Sequence, residues 1–274
     1  MFLGMMFLAT EMVVSTGWLG SHLKDDGLVV LHVGSEKDYG EGHIPGARLV
    51  TLGDISITGE RGLRLELPPV AALKAALEKL GISNSSRVVV YPANESVQSA
   101  TRVWFTLDYL GLGERASLLD GGLAAWRAEG RPMSTEAAPW APGTLEVKAR
   151  PDVVADAEWV RGHLDDAKVR LLDARLPEFY TGANAGNMPR AGHIPGAVNV
   201  PFPSVFDESR KLLGAEALRQ KMGPAGETAV TYCHIGQQAT VLYFVERYLG
   251  RQVKLYDGSW QDWSRREELP VAKQ

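Results

Sequence analysis

Six consecutive residues occur twice in the chain: Gly42-His43-Ile44-Pro45-Gly46-Ala47 recurs unchanged as Gly192-His193-Ile194-Pro195-Gly196-Ala197. Other anchors recur in the same order. Val88-Val89-Val90-Tyr91 answers Ala229-Val230-Thr231-Tyr232, and Ala100-Thr101 through Tyr109-Leu110-Gly111 answers Ala239-Thr240 through Tyr248-Leu249-Gly250. Leu119-Asp120-Gly121-Gly122, then Trp126, answers Tyr256-Asp257-Gly258-Ser259, then Trp260 and Trp263. Ordered matches of this kind mark a tandem duplication. The halves are residues 12–134 and 150–274, joined by a linker at 135–149 that is rich in Ala and Pro. A length of 274 residues suits two small domains.

Each half repeats one pattern. A short apolar run (Leu28 to Val33; Val169 to Leu172) reads as a buried strand. The repeated hexapeptide reads as a turn, because Pro fixes φ and Gly accepts positive φ. Leu73, Leu77 and Leu80 line one face of a helix over 70–80, and Gly81 ends it. A second strand, a loop, a helix (Ala100 to Leu110; Ala239 to Leu249), a third strand and an Asp-Gly turn follow. Alternating strands and helices predict an α/β fold. The expected architecture is two tandem domains, each a small, mainly parallel sheet with helices on both faces.

Composition then narrows the chemistry. Lys plus Arg is 29 and Asp plus Glu is 33, so the chain lacks the basic excess that a nucleic-acid backbone demands. Its one cysteine, Cys233, excludes an internal disulfide, a CxxC pair and cysteine-rich metal clusters. The six histidines show no metal-ligand spacing, and neither a metal nor a cofactor is expected. The apolar run Met1 to Ala9 is too short to span a membrane, and no Lys or Arg precedes it as in a secretion signal. We read the translation start as lying further in, at Met5, Met6 or Met12, which makes the compartment cytoplasmic. A periplasmic location follows if the run is a leader.

The two halves differ chemically in one loop. In an open parallel sheet, ligands sit beyond the carboxyl ends of the strands. There the first half reads Tyr91-Pro92-Ala93-Asn94-Glu95-Ser96-Val97-Gln98-Ser99-Ala100, and the second reads Tyr232-Cys233-His234-Ile235-Gly236-Gln237-Gln238-Ala239. Only the second carries a nucleophile. A lone cysteine is by default a small buried hydrophobe. Cys233, however, sits between a strand and a helix start, where free amides favour an anion. Gly236 lets the backbone curl so that these amides converge. Such a ring of donors suits a thiolate or a persulfide.

With these motifs in place, the sequence resembles the tandem-domain rhodanese family of thiosulfate and 3-mercaptopyruvate sulfurtransferases. Asp173-Ala174-Arg175-Leu176-Pro177-Glu178-Phe179-Tyr180 resembles the family's D-x-R-x-x-x-E-(F/Y) segment. Tyr256-Asp257-Gly258-Ser259-Trp260, with Trp263 and Leu269-Pro270-Val271, resembles its C-terminal signature. The resemblance implies an inactive first domain and a second domain with Cys233 as the catalytic residue. It also implies a ping-pong reaction in which Cys233 takes sulfur from a small-molecule donor and passes it to cyanide or another thiophilic acceptor. A thiol protein is a further possible partner; nucleic acid and membranes are not expected.

Thiosulfate is the expected donor. The C-H-I-G-Q-Q loop is not the small C-G-S-G type of mercaptopyruvate enzymes, and Glu178 stands where those have an arginine. The expected substrate contacts are His234, as the loop's partly charged cation, with Ile235, Gly236, Gln237, Gln238 and Arg190. Gln237 and Gln238 have outward-facing helix-start positions as their alternative, and Arg190 a solvated one. Asp173 and Arg175 are expected to support the loop. His43 and His193, present in both copies, are read as structural, and His32 as a drifted structural position. A phosphatase of related fold needs an arginine at position 239, which is Ala239 here. A 3-mercaptopyruvate sulfurtransferase, or a persulfide carrier or binding module fed by a protein donor, is the alternative reading.

Overall fold

The computed structural model describes residues 11–273. The apolar run Met1 to Ala9 lies outside the described residues. Among the described residues two five-stranded, wholly parallel sheets form. The first contains β1 (Val13–Val14), β2 (Leu28–Val33), β3 (Arg48–Val50), β4 (Arg87–Pro92) and β5 (Ala116–Leu119), in the order β1-β5-β4-β2-β3. The second contains β6 (Val154–Ala155), β7 (Val169–Asp173), β8 (Val198–Asn199), β9 (Thr228–Tyr232) and β10 (Val253–Tyr256), in the equivalent order β6-β10-β9-β7-β8. The register agrees as well, with His32 opposite Tyr91 and Asp173 opposite Tyr232.

Helices α1 (Thr16–His22), α2 (Glu36–Glu41), α3 (Val70–Lys79), α4 (Val97–Tyr109) and α5 (Gly122–Ala128) flank the first sheet. Helices α6 (Ala157–Gly162), α7 (Pro177–Tyr180), α8 (Ala215–Met222), α9 (Ala239–Tyr248) and α10 (Ser259–Trp263) flank the second. Leu73 and Leu77 of α3 are fully buried, as their spacing predicts, and Gly81 beyond its C-cap takes φ +72°. Helix α4 opens at Val97, earlier than Ala100. The hexapeptide histidines are structural in both copies. His43 stacks on Tyr39 and His193 on Tyr180, and each Nδ1 lies within hydrogen-bond distance of that tyrosine's carbonyl.

The halves meet through α4 and α9 around one pair of equivalent residues, with the neighbouring pairs exchanged. Thr101 Oγ1 lies 2.8 Å from Thr240 Oγ1. The rings of Trp104 and Phe244 lie 4.8 Å apart, and those of the reciprocal pair Phe105 and Tyr243 lie 4.9 Å apart, both edge to face. These residues belong to one core cluster that merges both halves. Each domain also sends a strap over the other. Leu67 N–H donates to Asp257 at 2.9 Å, and Leu212 N–H donates to the equivalent Asp120 at 2.9 Å. Two residues before each of these leucines, Leu65 and Arg210 hold φ of 60° and 61°, strained for side chains with a Cβ.

The segment 135–149 is extended and carries its own fastenings to the first domain. Trp140 Nε1 donates to the Lys79 carbonyl, Leu145 N–H donates to Glu78, and Leu145 is buried.

Candidate active site

Strand β9 delivers Cys233 to the carboxyl edge of the second sheet, where its side chain is almost fully buried. The first turn of α10 fixes the start of the loop. Trp260 N–H donates to the Cys233 carbonyl at 2.9 Å, and Gln261 N–H donates to the His234 carbonyl at 2.9 Å. Cys233 N–H donates to Ser259 Oγ at 3.2 Å, and that hydroxyl donates to the Tyr256 carbonyl. Ser259 takes φ +53° to make this turn, a strained conformation concentrated beside the sulfur.

Beyond Cys233 the chain curls. Gly236 has φ +79°, and a Cβ there would lie 2.6 Å from the Asp257 carbonyl oxygen, so glycine is required twice over. Among the described residues, no group accepts a hydrogen bond from the backbone N–H of residues 234 to 239. A run of unpaired amides at a helix start is an anion receptor.

Behind the loop, Asp173 and Arg175 form a buried bidentate pair with contacts of 2.6–3.1 Å. Arg175 also donates to the Gly192 carbonyl at 2.8 Å and lies 4.7 Å from the centre of the Trp260 ring. It thereby ties the repeated turn to α10. The first domain has His32 and Gly34 at these two positions, and Arg127 from α5 donates to the equivalent Gly42 carbonyl instead. His32 is buried, with Nδ1 2.9 Å from the Tyr91 hydroxyl and Nε2 unpartnered.

Two expected substrate contacts need correction. Arg190 does not offer a free cation: it donates to the carbonyls of Ser264, Leu269, Trp263 and Arg266 at 2.6–3.0 Å and staples the C-terminal turn. His234 is not the expected partial cation. Burial, and then the Arg175 charge, push its pKa below the ordinary imidazole value, so it is mainly neutral at neutral pH. Its ring meets Phe179 edge to face at 4.5 Å.

Gln237 spends a donor across the domain interface on Ser99 Oγ at 2.9 Å. Gln238 lies at the start of α9 beside His234, and Ile235 is half-buried.

One residue of this neighbourhood escapes the sequence reading. Arg102, on α4 of the first domain, is fully buried and reaches the loop that carries Cys233. Its Nη1 donates to the Gly236 carbonyl at 3.2 Å and to Asp257 Oδ1 at 2.5 Å, and its Nη2 donates to the Leu65 carbonyl at 2.5 Å. The one signal for it in the sequence is the duplication itself, which aligns Arg102 with Val241.

A family model described as a rhodanese-like domain matches residues 15–129 and again 156–266. The chain therefore belongs to the rhodanese family. Within that family, two domains in tandem and a cysteine loop in the second make it a rhodanese-type sulfurtransferase. It is 34% identical to the sulfur carrier protein TtuD of Thermus thermophilus, over 96% of this chain and 97% of that one. It is 30% identical to the mitochondrial thiosulfate/3-mercaptopyruvate sulfurtransferase 1 of Arabidopsis thaliana, over 96% of this chain and 78% of that one. The crystal structure of YnjE shares the fold, with a TM-score of 0.86 at 24% identity, over 96% of this chain and 68% of that one.

Proposed function

We propose that this protein is a thiosulfate sulfurtransferase acting through a Cys233 persulfide. The Cys233 thiolate attacks the outer sulfur of thiosulfate. A new S–S bond forms, the donor's S–S bond breaks, and sulfite leaves with the electron pair. Cyanide or another thiophile then attacks the outer persulfide sulfur, and the Cys233 thiolate leaves, ready for another cycle. The observation that carries this reading is the run of amides over residues 234 to 239, which have no acceptor among the described residues. They supply fixed donors for negative charge on the terminal sulfur without a cofactor. Ile235, Gly236, Gln237 and Gln238 build this receptor through their backbone, while Asp173 and Arg175 hold its base.

A second reading has a specific observation behind it. With His234 mainly neutral and Arg190 committed to carbonyls, the loop's own residues offer no cation to a dianion. A protein persulfide donor needs none, and the Thermus thermophilus relative carries a sulfur-carrier name. Mercaptopyruvate is the weakest donor on this view, because Glu178 would face its carboxylate. We place the chain in the cytoplasm, where a lone thiol stays reduced. Among the described residues no helix is long and apolar enough to cross a membrane.

The deciding measurement compares initial rates with thiosulfate plus cyanide, 3-mercaptopyruvate plus cyanide, and a persulfide-loaded cysteine desulfurase. Thiocyanate from thiosulfate, its loss in Cys233→Ser, and a gain of one sulfur mass on the Cys233 peptide are expected. Equal turnover in the serine variant refutes the mechanism. Fast exchange with the desulfurase alongside negligible thiosulfate turnover selects the carrier reading.

A further inference from the structure

We infer that Arg102, supplied by the domain without a nucleophile, is a positioning residue for the Cys233 loop. This rests on the sulfurtransferase reading and deepens it.

The duplication makes the placement specific. Thr101 and Thr240, equivalent residues, touch each other. The next position differs between the two helices. On α4 it is Arg102, which reaches Gly236 in the loop that has the cysteine. On α9 it is Val241, buried and apolar. The nucleophile was kept in one copy and the cation that braces its loop in the other.

The bracing acts on a defined atom. The C=O of Gly236 and the N–H of Gln237 belong to one planar peptide and point in opposite directions. A guanidinium on the oxygen therefore fixes where that N–H aims, and it is one of the loop amides without an acceptor among the described residues. The guanidinium is held in turn. Asp257 fixes Nη1, and the Leu65 carbonyl fixes Nη2. Leu65 itself sits at φ +60° on the strap from the first domain, where Gln261 clamps its neighbour by accepting from Arg64 N–H and donating to Arg64 C=O. The first domain thus contributes two elements to one guanidinium, and the second contributes Asp257 and Gly236. A purely structural salt bridge would need only Asp257. The contacts to the Gly236 and Leu65 carbonyls tie Arg102 to the loop's geometry.

The test uses the full chain with Arg102→Ala and Arg102→Lys. Thiocyanate production is normalised to the Cys233 thiol titrated in the folded fraction isolated by size-exclusion chromatography, so that misfolded protein does not enter the count. For Arg102→Ala, kcat is expected to fall about 10²-fold, the scale for one misaimed donor, while KM for thiosulfate changes much less. Guanidinium chloride at low millimolar concentration should restore part of the rate, and sodium chloride should not. Arg102→Lys keeps the charge beside Asp257 but lacks the planar fork, and is expected to fall between the two.

A folded Arg102→Ala variant with kcat per titrated thiol within twofold of the parent overturns the inference. So does equal rescue by either salt. If the alanine variant does not fold, the lysine variant decides by the same kcat limit. The amide resonance of Gln237 provides a readout that needs no turnover. It should shift in Arg102→Lys, and an unmoved resonance refutes the positioning role. Should the parent transfer no sulfur while this resonance shifts, the function reading has failed and the positioning inference stands.

Discussion

Acidification should destabilise the protein through a residue far from the sulfur. His32 lies in β2 of the first domain, and its pKa is lowered from the ordinary 6.5 to about 4. Burial is the main cause; His43 and Arg127 add to it, and Asp38 opposes it. Protonation would also put a second N–H on a ring whose Nε2 has no partner. Because the folded pKa is the lower one, the unfolded chain binds more protons between the two values. The neutral site is fully tolerated above about pH 6.5, and stability is lost as pH falls towards 4. Between pH 7 and pH 5 the two values give a loss of about 2 kcal/mol. Urea unfolding of the parent and of His32→Gln, followed by tryptophan fluorescence at fixed ionic strength, measures it. The variant should be less stable at pH 7 by about 1–3 kcal/mol, through its disturbed bond to Tyr91. Its loss between pH 7 and pH 5 should be smaller than the parent's by about 2 kcal/mol. His234 titrates with the same sign in both proteins and cancels in the difference. Identical pH slopes for parent and variant would refute the reasoning, as would a His32 ring resonance that titrates near pH 6.5.

Two further substitutions separate structure from binding. Arg190→Ala should cost about 1–3 kcal/mol by freeing four carbonyls of the C-terminal turn, yet leave KM for thiosulfate within twofold; a large rise in KM would restore the anion contact expected from sequence. Arg175→Ala strands Asp173 without its partner and should destabilise by about 3–5 kcal/mol in chemical denaturation, whereas a loss below 1 kcal/mol would mean that Asp173 is satisfied by other groups.

The fold was legible because its signals are local and doubled. The repeated hexapeptide, the leucines of α3 and the paired apolar runs each lie within a few residues of chain, and both copies report the hexapeptide and the apolar runs. Cys233 stood out because one copy has it and the other does not. What stayed hidden depends on contacts between distant segments. Arg190 reads as a free cation until the turn at 263–269 folds back over it. His234 reads as partly charged until burial and Arg175 are present together. Arg102 lies on a helix that periodicity places correctly, but nothing nearby in sequence says that its partners are Gly236 and Asp257.

The contact between Thr101 and Thr240, with its reciprocal ring pairs, carries history as well as packing. A surface on which one residue meets its own counterpart and the flanking pairs are exchanged is that of a two-fold symmetric homodimer. Such an interface forms between separate chains, so the segment 135–149 holds together partners already made for each other. Its covalent continuity sets their effective concentration. Cleaved there, the two halves should still find one another, and their reassociation would rebuild a single working site from two unlike descendants of one subunit.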